Sequence, residues 1–124
     1  MILINQFDAR YCDGTPLSVC RTVQVAVNEK KILFVYKEQS VHKEDNRMMY
    51  SVIFFDDGTN IMCKDDIGEF DSFVRFKYAC TDVLINKDNV KIVQDEGWRT
   101  IVVFNEKDWV DTLDKFDEVV MRLG

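Results

Sequence analysis

The stretch Leu17-Ser18-Val19-Cys20-Arg21-Thr22-Val23-Gln24-Val25-Ala26-Val27 carries the clearest alternation in the chain. Leu17, Val19, Val23, Val25 and Val27 fall on one face, with Ser18, Cys20, Thr22, Gln24 and Ala26 on the other. A period of two is the signature of a half-buried strand, so this run predicts an antiparallel sheet with one face against a core. Arg21 interrupts the apolar face and marks a bulge, a strand end or a charge with a purpose.

The same reading extends outward in both directions. Upstream, Ile2 to Arg10 reads as a first strand, stopped by the turn signals of Cys12-Asp13-Gly14-Thr15-Pro16. Downstream, Ile32 to Tyr36 is apolar on both faces and predicts a central strand, and the polar run Lys37 to Arg47 predicts a mobile loop. Met48 to Phe55 and Asn60 to Lys64 form a hairpin around Asp56-Asp57-Gly58-Thr59. Phe73 to Cys80 fits two periods. Ile67, Phe70, Phe73, Val74 and Lys77 have helical spacing, whereas Val74, Phe76, Tyr78 and Cys80 alternate, and the balance leans to a helix ending near Lys77.

Val83-Leu84-Ile85 and Val90 to Val93 read as a hairpin around Asn86 to Asn89, and Trp98 to Phe104 as the last strand. Asn105 then stands as the N-cap of a long closing helix with Glu106 and Asp108 in its first turn. Trp109, Val110, Leu113, Phe116, Val119, Val120 and Leu123 supply its apolar stripe. Many strands closing on one amphipathic helix predict an α+β fold: a single domain over 1–124, an antiparallel sheet or partly open barrel with the C-terminal helix packed on it.

Composition narrows the function. Hydrophobic residues at 47% and charged residues at 31% describe an ordinary globular chain, and one Pro with five Gly leaves no linker-like stretch. The net charge of −6 argues against tracking of phosphates on nucleic acid or on a membrane surface. The first residues lack the charged and apolar regions of a signal peptide, which predicts a cytoplasmic protein with reduced thiols. Cys12, Cys20, Cys63 and Cys80 form no closely spaced pair and His42 is the sole histidine, so neither a zinc site nor a Cys–His or Ser–His nucleophile is visible. No glycine-rich phosphate loop follows a strand. Asp56-Asp57 and Asp65-Asp66 sit in turns, where Asp serves local hydrogen bonding. No catalytic constellation and no cofactor follow from these residues.

What remains is aromatic and cationic: Phe73, Arg75, Phe76, Lys77 and Tyr78, then Trp98 and Arg99. Aromatic planes beside guanidinium groups suit a nucleotide, with rings stacking on the base and arginines bridging phosphate oxygens. Arg75, Phe76, Tyr78, Trp98 and Arg99 are therefore the candidate ligand-binding residues. The bland alternative makes the aromatics core and lets the cations reach past them to water. A second functional reading is an acidic protein-interaction or inhibitor module, motivated by Asp56, Asp57, Asp65, Asp66, Glu69 and Asp71.

Two family resemblances join these residues. Ile101-Val102-Val103-Phe104-Asn105-Glu106-Lys107-Asp108-Trp109 resembles the end of a pleckstrin-homology-type barrel over about a fifth of the chain. The basic first hairpin that would hold an inositol phosphate is missing, so lipid binding does not carry over. Asp13-Gly14-Thr15, Glu69-Phe70-Asp71-Ser72-Phe73 and Arg75-Phe76-Lys77-Tyr78-Ala79, with the last strand and helix, resemble the phage anti-Thoeris family of signal-sequestering proteins. That resemblance implies a non-enzymatic homo-oligomer that sequesters a cyclic ADP-ribose-like signal in the host cytoplasm, and it transfers no individual ligand residue. The expected partners are a nucleotide-like small molecule and further copies of the chain, as a homodimer or larger, with no membrane and no general nucleic-acid binding.

Overall fold

The period-two runs become strands, and the computed structural model describes them through residues 1–8, 10 and 14–124. They are β1 (Ile2–Phe7), β2 (Thr22–Val27), β3 (Ile32–Gln39), β4 (Met49–Phe55), β5 (Asn60–Cys63), β6 (Phe73–Tyr78), β7 (Thr81–Asn86), β8 (Ile92–Asp95), β9 (Thr100–Val103) and β10 (Trp109–Thr112), followed by α1 (Phe116–Leu123). Seven strands form one antiparallel sheet in the order β2-β1-β5-β4-β3-β7-β6, and β10-β9-β8 form a second. The larger sheet is not closed into a barrel, and the architecture is α+β as its pattern of elements predicts. The first strand expected over Ile2 to Arg10 ends at Phe7, and residue 9 of that run and residues 12–13 of the turn expected over 12–16 lie outside the described residues.

Both faces of the larger sheet are buried, which is why β3 reads apolar on both sides. Ile32 and Val35 join Ile4, Val27, Ile53 and Leu84 in a first core, closed over by Ile67 of the segment between β5 and β6. Leu33 and Phe34 join Val83, Val102, Val110 and Val119 in a second, between the larger sheet, the smaller sheet and α1. Successive residues reach the same core because the β3–β4 register shifts between Ile32 and Phe34.

Several expectations are corrected. Phe73–Tyr78 is a strand, paired to β7 from Phe73↔Asn86 to Tyr78↔Thr81, so the helical spacing loses to the alternating one. The sequence hides this hairpin because Ala79-Cys80 carries no usual turn residue, although Ala79 takes a left-handed φ of 48°. Val83–Ile85 and Val90–Val93 do not pair with each other. Asn86 is buried and donates to the carbonyl of Ile32 at 2.9 Å, and Asn89 donates to the same oxygen at 2.8 Å. These amides tie the link to the start of β3 and send the chain on into the second sheet.

The closing helix is also shorter than its stripe. The Asn105 side chain accepts from the backbone N–H groups of Lys107 and Asp108 and so closes a turn between β9 and β10 instead of capping a helix. Trp109–Thr112 pairs with Thr100–Val103, and helix begins only at Phe116, anchored by fully buried Val119. Lys37–Gln39, expected in a loop, completes β3. Within that same run buried Asp45 accepts hydrogen bonds from the N–H of Leu17 and Ser18 and from both their neighbours Ser18 Oγ and Ser40 Oγ. Burial alone would raise the Asp45 pKa, but the hydrogen bonds outweigh it and hold the carboxyl well below the usual range.

The larger sheet has two unlike edges. On β6 the outward main chain is capped. Arg75 N–H reaches Glu69 at 2.9 Å, Lys77 N–H reaches Asp114 at 2.8 Å, and the carbonyl of Lys77 accepts from Thr112 Oγ1 at 2.7 Å. On β2 no described residue supplies such a cap.

Candidate aromatic cleft

Glu96, Gly97, Trp98 and Arg99 turn the chain from β8 to β9, because Asp95 pairs with Thr100. Gly97 sits at φ 85°, a conformation that a side chain disfavours, and its N–H bonds Asp95 Oδ1 at 2.9 Å. This turn lifts Trp98 off the sheet, and 70% of the residue stays exposed. The Arg99 guanidinium lies 4.7 Å from the Trp98 ring centroid and 5.6 Å from that of Trp109. Two carboxylates fix it there: Glu96 at 3.1 Å and Asp111 at 3.4 Å. Glu96 above all, with Asp111, raises the Arg99 pKa further, so the cation is permanent.

Between Trp98 and the tip of the β6–β7 hairpin lies a cleft of about 260 Å³, lined by Tyr78, Ala79, Trp98, Asp111, Thr112 and Leu113. Tyr78 is steadied from behind by Tyr36, with ring centroids 4.5 Å apart. Burial first, and then the hydrogen bond to Tyr78, push the Tyr36 hydroxyl above the usual phenol range, so it stays protonated. The strained Ala79 forms part of the wall. Such a site offers a flat face, an acceptor carboxylate and a fixed cation, and no group placed as a nucleophile with its base.

The five sequence-selected residues divide between two places. Tyr78 and Trp98 line this cleft, and Arg99 lies against the Trp98 ring without lining it. Arg75 and Phe76 belong to another, of about 350 Å³, shared with Lys77, Asp82, Glu118 and Arg122. There Phe76 is only 2% exposed and its ring is covered by the Arg122 guanidinium at 4.4 Å. Arg122 also donates to the Arg75 carbonyl at 2.5 Å, and Arg75 lies 3.8 Å from Asp82. Asp111, Thr112 and Leu113 are cleft residues that sequence reasoning missed. The alternation of Trp109, Val110, Asp111 and Thr112 held the signal, masked by an equally good helical stripe.

A larger cleft of about 410 Å³ is lined by Glu29, Lys30, Ser72, Asn86 and Asp88 among others. Its polar groups are structural, since Asn86 Oδ1 already accepts from Ser72 Oγ and from Asp88 N–H. Several acids of the inhibitor reading are likewise occupied: Asp65 accepts from the Asn5 side chain, Asp66 from Lys37 and Asp57 from Thr59. The thiols of Cys63 and Cys80 are free, and burial pushes Cys63 up to about 11. Among the described residues no helix is long and apolar enough to cross a membrane. No family model, curated protein or solved structure matches the chain.

Proposed function

We propose that this chain is a non-enzymatic binding protein that holds a small nucleotide-like molecule in the Trp98 cleft. The observation that carries the reading is the Trp98 indole: a large ring, 70% in water, held from one side by an arginine that two carboxylates lock in place. Exposing such a ring is unfavourable unless something covers it. A base stacked on it contributes about 1–3 kcal/mol, and the ring gives up little freedom because it is already fixed. Asp111 accepts from an exocyclic amino group, and Arg99 meets phosphate at the rim by exchanging one carboxylate for another anion.

In the form the family resemblance implies, the ligand is a cyclic ADP-ribose-like signal, and the protein acts by withholding it as a phage counter-defence. The cleft is small beside the roughly 300–1,000 Å³ of ordinary ligand pockets, so it takes a ring and leaves the rest of the ligand at its mouth. The working unit is a homodimer or larger in the cytoplasm. The test is calorimetric titration of cyclic ADP-ribose isomers and cyclic oligonucleotides into the purified protein, with Trp fluorescence followed in parallel. Saturable binding with quenching supports the reading, and no binding by any of them removes it.

One observation favours a second reading, a protein-interaction module. Ile92 and Trp109 are half-exposed on the smaller sheet, with Trp109 against Arg99, and Trp and Arg are the residues that dominate interface energetics. A protein partner that protects this patch while no nucleotide binds would select it.

A further inference from the structure

We propose that β2 is a dimerisation edge, and that two copies of this chain join by antiparallel self-pairing of Thr22-Val23-Gln24-Val25-Ala26 about a two-fold axis at Gln24. The inference gives the homo-oligomer of the proposed function its surface. It rests on that part of the reading alone and not on the ligand.

The direction of the free main-chain groups follows from the register. Asp8 N–H bonds the carbonyl of Arg21 at 2.9 Å. Bonded pairs alternate along an antiparallel ladder, so Val23, Val25 and Val27 share that parity and turn their groups to Gln6, Ile4 and Ile2. The N–H and C=O of Thr22, Gln24 and Ala26 therefore point away from the sheet, and no described residue takes them up. Asn5 agrees with this parity, since its own groups turn the other way, to Asp65 and to Lys64.

An open edge of this kind is usually blunted by a charge, a proline or a bulge. The opposite edge is blunted, by Glu69, Asp114, Arg122 and Thr112. Thr22–Val27 contains no charge, no Pro and no Gly. Its surroundings are apolar as well: Leu3, opposite Ala26, is 66% exposed, and Val23 is 42% exposed.

The strand is also close to its own reverse. With Gln24 on the axis, Gln24 faces the partner's Gln24 and Thr22 faces the partner's Ala26, with their outward groups exchanging hydrogen bonds. Val23 then faces the partner's Val25 on the side of the first core, so apolar surface continues across the junction. Arg21 falls opposite the partner's Val27, and no like charges meet. A two-fold contact of this kind is self-complementary and closes at two copies. The partner class is thus a second copy of this chain, added as β-strand augmentation.

The experiment is sedimentation of the full chain across micromolar concentrations, for wild type and three variants at Gln24, with melting curves and the nucleotide titration alongside. Wild type is expected to sediment as two chains. Gln24→Pro removes an outward N–H without touching the β1 ladder and is expected to be monomeric. Gln24→Lys and Gln24→Glu each place like charges across the axis and weaken the dimer about tenfold, while their equimolar mixture regains it as a heterodimer. The charge pair keeps the test sound if the proline variant fails to fold. A wild-type monomer throughout, or a dimer that none of these variants weakens, overturns the proposal. Ligand binding by the variants is read separately, so loss of the dimer and failure of the Trp98 reading are distinguishable.

Discussion

In the cleft beneath α1, an arginine lies 4.4 Å from the centroid of a phenylalanine ring that is wholly enclosed by protein. In the cleft at the β8–β9 turn, an arginine lies 4.7 Å from the centroid of a tryptophan ring that is mostly in water. The pairs are alike in chemistry and opposite in what else they touch. Arg122 closes over Phe76, bonds the Arg75 carbonyl and approaches Glu69 at 3.7 Å, so it ties α1 to the β6 edge and leaves the ring no free face. Arg99, held by Glu96 and Asp111, covers one side of Trp98 and leaves most of that residue in water. The difference teaches that an aromatic residue beside an arginine is a site only where the fold leaves part of the ring uncovered.

The largest expected effect is on the enclosed ring. Phe76→Ala leaves a cavity in the second core and is expected to cost about 3–5 kcal/mol in urea unfolding. A cost under about 1 kcal/mol would make the Phe76 ring as dispensable to the fold as an exposed one and break the contrast. Arg99→Ala strikes the other pair. It frees Trp98 and Trp109 and leaves Glu96 and Asp111 without their cation, so nucleotide affinity should fall roughly ten- to a hundredfold. Unfolding should change far less, because these groups stay in contact with water. Equal losses of stability from the two substitutions would show that Arg99 serves the fold instead.

The smallest effect sharpens the comparison. Arg75 has a half-exposed side chain that comes no nearer to Asp82 than 3.8 Å, and its backbone, not its guanidinium, holds the β6 edge. Arg75→Ala should alter stability by less than about 0.5 kcal/mol and leave nucleotide affinity unchanged. A large loss of affinity in this variant alone would move the site to the cleft beneath α1.

How much of this was legible depended on whether one period stood alone. Val23-Gln24-Val25-Ala26-Val27 and the Asp57-Gly58 turn had no competing reading, and β4 and β5 lie where the pattern put them, whereas β2 takes only Thr22–Val27 of the Leu17–Val27 alternation and Leu17–Val19 forms a 3-10 turn. Phe73–Tyr78 satisfied two periods at once, and only the pairing to β7, a non-local fact, chose between them. Trp109–Thr112 failed for the same reason, since a helical stripe that is continuous on paper is cut between Thr112 and Phe116, where β10 ends and α1 begins. The candidate site was legible as a composition and not as a place. Tyr78, Trp98 and Arg99 were found because aromatic and cationic residues cluster in an acidic chain, but no local pattern could say that Phe76 points inward under Arg122. Asp111 went unseen because its partner Arg99 lies across a strand pair from it.

The account stands or falls on the exposed ring. Calorimetric titration of the nucleotide panel against wild type, Trp98→Ala and Trp98→Phe, each checked by its melting curve, addresses it directly. The alanine variant should fold as wild type does and lose about 1–3 kcal/mol of binding, and the phenylalanine variant should recover part of that loss because it restores a stacking face. Equal affinity in all three proteins would contradict the claim that Trp98 is the surface on which this protein receives its ligand.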